Sequence, residues 1–221
     1  MVAHVYKLAG GKRVPSVTTI NKIGMPAEGL VHWAWELGMD GKDYRQVRDD
    51  AADAGSVGHK LVESAIRGDF DPPDLSRFDE DVQKSGYKAY EAYLEWREQS
   101  KIEWLHTEIS LVSEEYRYGG TLDAIGRMPS GNGLCLGDWK TGRLYPDHLC
   151  QVRAYKELWD RQPAHMAPGV GMPIEGFHLC RFNRDTGDFV HAYFGDLEEA
   201  WEAFLLKRRL YDLLAKLKKR V

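Results

Sequence analysis

The chain has 221 residues, with 34 acidic against 30 basic side chains and a formal net charge of −4. That balance excludes a protein that coats nucleic acid through charge over its whole surface, but leaves room for a local basic groove. Cys135, Cys150 and Cys180 are scattered and odd in number, so they suggest neither a disulfide framework nor a Cys-x-x-Cys metal site.

The length predicts one domain over 1–221. Its parts are a mostly helical portion over 1–100, a sheet core over 101–195 and a C-terminal helix over 196–221. No apolar run approaches a membrane span. Met1-Val2-Ala3-His4-Val5-Tyr6 lacks the basic start and apolar core of a signal peptide, so an intracellular location is expected.

The first helix is predicted at Ser16-Val17-Thr18-Thr19-Ile20, after Pro15 and before a stop at Gly24. A second covers 28–37 and is closed by Gly38. A polar helix follows over 43–54, and a better one over 55–67, with Val57, Leu61, Val62 and Ala65 on one side. Pro72 and Pro73 mark a surface loop. A long helix then runs over about 77–100, with Phe78, Val82, Ala89, Tyr93 and Trp96 in one stripe.

The pattern next changes to strands, over 102–113, 118–128 and 134–139, a meander. Pro129-Ser130-Gly131-Asn132-Gly133 supplies the turn between the last two. A helix over 146–159 follows, then a hairpin of 174–183 with 189–194. The last helix, over 197–219, carries Trp201, Phe204, Leu205, Tyr211, Leu214 and Leu217 on its apolar face. The basic residues clustered toward its end read as a solvated face.

Side chains alternate along a strand, so Asp138 and Lys140 share a face and Trp139 takes the other. A hairpin brings Asp123 onto the strand beside Asp138. Hard oxygen ligands of this kind suit Mg2+ or Mn2+, and the main-chain carbonyl of Trp139 is a further candidate ligand. Lys140 is placed to orient a water or to steady charge on phosphorus. On the helix over 55–67, Glu63 lies one turn after His59, as a ligand and its support would. Gln151 and Tyr155 have the same spacing on the helix after Lys140 and suit contact with a phosphate or terminal nucleotide. Each pattern alone is common on ordinary surfaces.

The order His59, Gly120-Thr121-Leu122-Asp123, Asp138-Trp139-Lys140-Thr141-Gly142, Gln151-x-x-x-Tyr155 resembles the PD-(D/E)XK nuclease superfamily. Within it, the chain is similar to the RecB-like exonuclease group, and Pro15-Ser16-Val17-Thr18-Thr19-Ile20 resembles its small single-domain phage and mitochondrial genome-maintenance members. The resemblance spans about 14–160. It implies an α/β fold: a restriction-endonuclease-like core, with a mixed central sheet flanked by helices and a helical N-terminal portion. It implies that His59, Asp123, Asp138 and Lys140 are catalytic, with His59, Asp123, Asp138 and the Trp139 carbonyl around two Mg2+ or Mn2+ ions. Glu108 matches a first-strand acidic residue of these nucleases and is ranked as supporting, with Glu63.

The expected activity is a metal-dependent DNA exonuclease acting from a strand end in repair, recombination or phage DNA processing. The alternatives are an endonuclease on the same fold and a non-catalytic DNA-end-binding module. Trp33, Trp35 and Tyr145 are candidates for stacking on bases. Partners are expected to be DNA with a free end and a separate annealing protein or helicase, with no membrane. The location is the cytoplasm of a bacterial cell or phage-infected host. With three unclustered cysteines no iron–sulfur cluster is expected, and Gly10-Gly11-Lys12-Arg13 lacks P-loop spacing, so no nucleotide cofactor is expected.

Overall fold

The computed structural model describes residues 4–24, 28–129, 133–162 and 172–220. Ser130, Gly131 and Asn132 of the predicted turn lie outside them.

A short hairpin, β1 (Tyr6–Lys7) with β2 (Arg13–Val14), opens the fold; no pattern in the sequence announces it. Helix α1 (Val17–Asn21) starts at Ser16, whose hydroxyl accepts the Thr19 N–H at 3.0 Å. Helix α2 (Glu28–Met39) runs straight through Gly38, the predicted stop, and the left-handed turn residue is Gly41 at φ 71°. The two helices expected over 43–54 and 55–67 are one, α3 (Tyr44–Arg67), capped by Asp43 and closed by left-handed Gly68. Gly55 does not break it. A Cβ there would stand 3.0 Å from Thr141 Oγ1, so the glycine lets α3 approach the loop after the central strand. Helix α4 (Glu80–Ser100) begins later than expected, and Phe78 enters the core from the loop before it.

The strands fall close to their predicted places: β3 (Glu103–Ser113), β4 (Tyr118–Arg127), β5 (Leu134–Lys140), β6 (Ile174–Phe182) and β7 (Phe189–Phe194). They form one sheet in the order β3-β4-β5-β6-β7, and only β5 and β6 are parallel. Helix α5 (Pro146–Asp160) is the crossover between that parallel pair, and α6 (Glu198–Leu217) packs against α5. The result is an α/β architecture with a five-stranded mixed sheet flanked by helices and an N-terminal region of helices and short strands.

Apolar side chains cover both faces of the sheet. On one, Val152, Leu158 and Trp159 of α5 and Trp201 and Phe204 of α6 pack on Leu122, Ile125, Leu134 and Leu136. On the other, Val62 of α3 and Tyr93 and Trp96 of α4 pack on Ala124, Cys135, Trp139 and Cys180. All three cysteines are free and buried. The β4–β5 ladder stops at Ala124↔Gly137, and Pro15–Ser16 takes over the bared edge of β4. There the Gly119 N–H donates to Pro15 O at 3.0 Å, and Ser16 bridges Gly119 in parallel.

Among the described residues, no helix is long and apolar enough to cross a membrane.

Close packing of α5 on β4 depends on Gly120. A Cβ there would lie 2.5 Å from Tyr155 Cε1 and 3.2 Å from Leu158 Cδ1. Gly120→Ala is expected to destabilise the fold by about 1–3 kcal/mol, as overpacking does. Urea unfolding measures it, and an unchanged midpoint would show that Tyr155 is free to move aside.

Candidate metal centre and active site

The site forms where β5 ends. Pleating sends Asp138 and Lys140 toward α5 and the Trp139 ring the other way. That ring packs edge-on against Tyr93, Trp96 and Trp104, at centroid distances of 5.7, 5.4 and 5.1 Å. Aromatic packing thus fixes the backbone from which the two polar side chains project.

Asp138 is fully buried, at 0% exposure. Its Oδ2 meets Lys140 Nζ, and its Oδ1 accepts from Gln151 Nε2 at 3.3 Å. The Trp139 peptide is bound from both sides. Its N–H donates to Asp123 Oδ2 at 2.8 Å, and its carbonyl accepts from His59 Nε2 at 3.1 Å. Lys140 Nζ also reaches that carbonyl at 3.4 Å.

Asp123 lies one residue beyond the last β4–β5 pair, so its carboxylate takes over where the ladder ends. Strict alternation fails there. Leu122 and Ile125 both face α5, whereas Ala124 faces α4. Across on β3, Glu108 stands opposite Asp123 between the pairs Thr107↔Ala124 and Ile109↔Leu122. Its backbone is left-handed, at φ 53°, a strained state for a non-glycine strand residue. Thr107 Oγ1 donates to Asp123 O at 2.7 Å and ties the two irregular positions together.

Helix α3 brings His59 over both carboxylates. Its Nδ1 lies 3.9 Å from Glu108 Oε1 and 3.9 Å from Asp123 Oδ2. Ligand atoms of His59, Glu108 and Asp123 all lie within 4.8 Å of one another, a group able to hold a metal ion. Because a carbonyl can only accept, Nε2 carries a proton, and Nδ1 is the atom left to ligate. An imidazole and two carboxylates are an ordinary donor set for a divalent cation, so the residues present fit one. The group differs from the expected one. Glu108, ranked as supporting, is a member, whereas Asp138 lies outside it with Lys140.

Charge in the cluster is tightly balanced. Burial would lower the His59 pKa, but the neighbouring Asp123 and Glu108 carboxylates outweigh it and raise it to about 9. Burial raises Asp138, with Lys140 opposing and Asp123 adding to the rise. Burial alone would lower Lys140, yet Asp138 and Asp123 raise it. The imidazolium and the ammonium together hold the carboxylates at neutral pH.

The other predicted residues are placed as follows. Glu63 is bound by Arg67 at 2.5 Å. Tyr155 is only 4% exposed, and its hydroxyl accepts from Gln151 Nε2 at 3.0 Å, so it lies behind Gln151 and positions it. Trp35 is well exposed on α2, Trp33 is partly buried, and Tyr145 is about half exposed at the start of α5.

Sequence reasoning passed over two features beside the site. His148 accepts the Tyr145 N–H on Nδ1 at 3.2 Å. Burial and Lys140 lower its pKa, so it is neutral. Tyr6, Thr121 and Ser110 form a hydroxyl chain, with Oη–Oγ1 at 2.8 Å and Oγ–Oγ1 at 2.7 Å. His148, three residues before Gln151 on one helix face, was legible by spacing; the Tyr6 contact, 115 residues apart, was not.

No protein-family model matches the chain, and no curated protein matches it. A mixed sheet flanked by helices, with a clustered His/Glu/Asp triad, is a framework consistent with a metal-binding enzyme.

A ligating His59 must lose its Nδ1 proton, so proton and metal compete. With its folded pKa raised from 6.5 to about 9, its stabilising charge is fully present below 6.5 and is lost as pH climbs through 9. Mn2+ affinity, followed by calorimetry, is expected to rise with pH toward 9, and metal-free stability to fall over the same window. Glu108→Gln is expected to weaken Mn2+ binding about 10–100-fold, and Asp138→Asn less. A larger loss from Asp138→Asn would return Asp138 to the ligand set.

Proposed function

We propose that the chain is a divalent-metal-dependent deoxyribonuclease that releases nucleotides from a strand end, in DNA repair, recombination or phage DNA processing. The supporting observation is that the His59–Glu108–Asp123 group and the Asp138–Lys140 pair converge on one peptide, that of Trp139. Phosphodiester hydrolysis needs a cation beside a proton-handling group, and this arrangement supplies both sets of side chains.

Bound Mg2+ or Mn2+ would relieve charge on the phosphate and make a bound water reactive. His59 Nδ1, Glu108 and Asp123 would hold it. Lys140 orients the attacking water or donates a hydrogen bond to the phosphate, and Asp138 fixes the ammonium for that purpose. Gln151, braced by Tyr155 and Asp138, is the polar group offered to a nucleotide near the metal. Trp35 and Tyr145 present open rings on which the bases of a single strand stack; Trp33, partly buried, is the weaker of the three. One triad supports one ion. A second would need Asp138, which Lys140 already engages.

The test is end-labelled DNA with Mg2+ or Mn2+, given as a linear strand and as a closed circle. Wild type is expected to degrade only the linear form. Asp123→Ala and Glu108→Ala are expected to abolish cleavage and remain folded. Lys140→Ala is expected to lower kcat about a hundredfold or more with little change in DNA affinity, because its interaction strengthens in the transition state. Cutting of the circle would make the enzyme an endonuclease. DNA binding with no cutting under either metal would make it an end-binding module.

A further inference from the structure

We infer a second polar site, independent of the metal group, that takes a phosphate group of the bound strand. It is an open cavity of about 530 Å³ lined by the β1–β2 hairpin, the turn before β4, the start of α1 and the middle of α6. The identity of the strand rests on the nuclease reading. The charge and shape of the cavity do not.

Several arginines are bound to carboxylates, among them Arg48, Arg67, Arg127, Arg153 and Arg161. Lys12, Arg13 and Arg117 all line this cavity, and their side chains bind no other described residue. Three free cations gathered on one concave surface of a chain with net charge −4 repel one another unless an anion joins them. The hydroxyls of Ser16 and Thr19, bonded to each other at 2.9 Å, make the same wall polar.

The presentation of Arg117 is built into the fold. Its backbone is left-handed, at φ 55°. Buried Arg208 clamps that turn, with Nε donating to Tyr116 O at 3.0 Å and Nη2 to Arg117 O at 3.2 Å. Asp212, the acid of the cavity wall, is occupied in turn by Arg208 at 2.6 Å. A buried cation and its carboxylate thus hold a strained turn whose exposed product is a second cation.

Position completes the argument. Tyr6 forms part of the wall, and its hydroxyl bonds Thr121 at 2.8 Å. Thr121 precedes Asp123 by two residues on β4, about 7 Å along the strand. Under the nuclease reading, this link through Tyr6 puts a phosphate in the cavity on the same substrate strand as one at the metal group, as an internal diester or as a terminal monoester.

The experiment measures binding of a labelled single-stranded oligonucleotide to the full chain in EDTA, across a salt series. Three competitors distinguish the sources: a 5′-phosphorylated strand, the same strand with hydroxyl ends, and inorganic phosphate. The variants are Arg13→Gln, at an exposed hairpin position whose side chain binds no other described residue, and Arg13→Gln with Arg117→Asn, since asparagine tolerates the left-handed backbone. Affinity is expected to fall about tenfold in the double variant. Its slope of log K against log salt should shrink by about 0.7 for each phosphate that is no longer neutralised. Strong preference for the phosphorylated strand assigns the terminal monoester; equal competition by the hydroxyl-ended strand assigns the internal diester. Unchanged affinity and salt slope in both variants, or in Arg13→Gln alone should the double variant not fold, would overturn the proposal. The measurement needs no metal and no cleavage, so a failed nuclease reading leaves its result legible.

Discussion

Everything in this site hangs on one peptide group. The Trp139 N–H is held by Asp123 of the neighbouring strand, and its carbonyl by His59 from the helix above the sheet. On either side of that peptide, Asp138 and Lys140 turn toward α5, while the Trp139 ring is locked among the aromatic rings of α4, β3 and β6. Three consecutive residues thereby fix α3, α4, α5 and β4 relative to one another. Support and chemistry share the same atoms. The hydrogen bond that selects the His59 tautomer is also a contact between a helix and the sheet.

Charge balance follows from that geometry. Asp123 and Glu108 approach His59 closely, and Asp138 has no access to water. Without compensation such a cluster would take up protons or unfold. The fold answers with an imidazole whose pKa rises to about 9 and with the Lys140 ammonium. The proton on His59 Nδ1 does in the metal-free state what a cation would do in the loaded one. A site of this kind is a poor source of stability and a good place for a divalent ion. Buried charge retained against such a penalty is better explained by chemistry than by packing.

The strands and the shared face of Asp138 and Lys140 were legible because they depend on period-two alternation and on turn residues close in sequence. The pairing of β4 with β5 carried Asp123 toward Asp138 in the same way, whereas the parallel pairing of β5 with β6 across α5 was not legible. What could not be read depends on contacts across the fold. Gly38 looks like a helix stop and Gly55 like the start of a new helix, but Gly41 and tertiary packing set the true limits. Glu108 looks like any half-exposed strand carboxylate until a reversed φ aims it at His59. Tyr155 shares a helix face with Gln151, as its spacing says, but spacing cannot tell that β4 covers the ring and leaves only Gln151 outside. The β1–β2 hairpin, two residues a strand, is too short for any periodicity to show.

Strain is distributed along the same lines. Three non-glycine residues are left-handed among those described: Lys101, Glu108 and Arg117. Lys101 merely ends α4, where such a residue is routine. Arg117 closes the turn between β3 and β4, a common place for a left-handed residue, while Glu108 sits mid-strand and has no such excuse. Each costs on the order of 1–3 kcal/mol and persists only because its surroundings over-determine it. Around Glu108 the restraint is the β3–β4 ladder, with the Thr107 hydroxyl on the Asp123 carbonyl. Around Arg117 it is the buried Arg208 guanidinium on two consecutive carbonyls. One strained residue delivers a negative charge to the metal group, and the other delivers a positive charge to the basic cavity. Glu108 lies mid-way along β3 and Arg117 in the turn that follows it, nine residues apart in sequence, with Ser110 of the Tyr6–Thr121–Ser110 hydroxyl chain between them. Relaxing either backbone would re-aim the charged side chain that it carries. Strain is therefore kept where a charge has to point, which places the β3–β4 hairpin, and not the helices, as the element that sets the distance between the two.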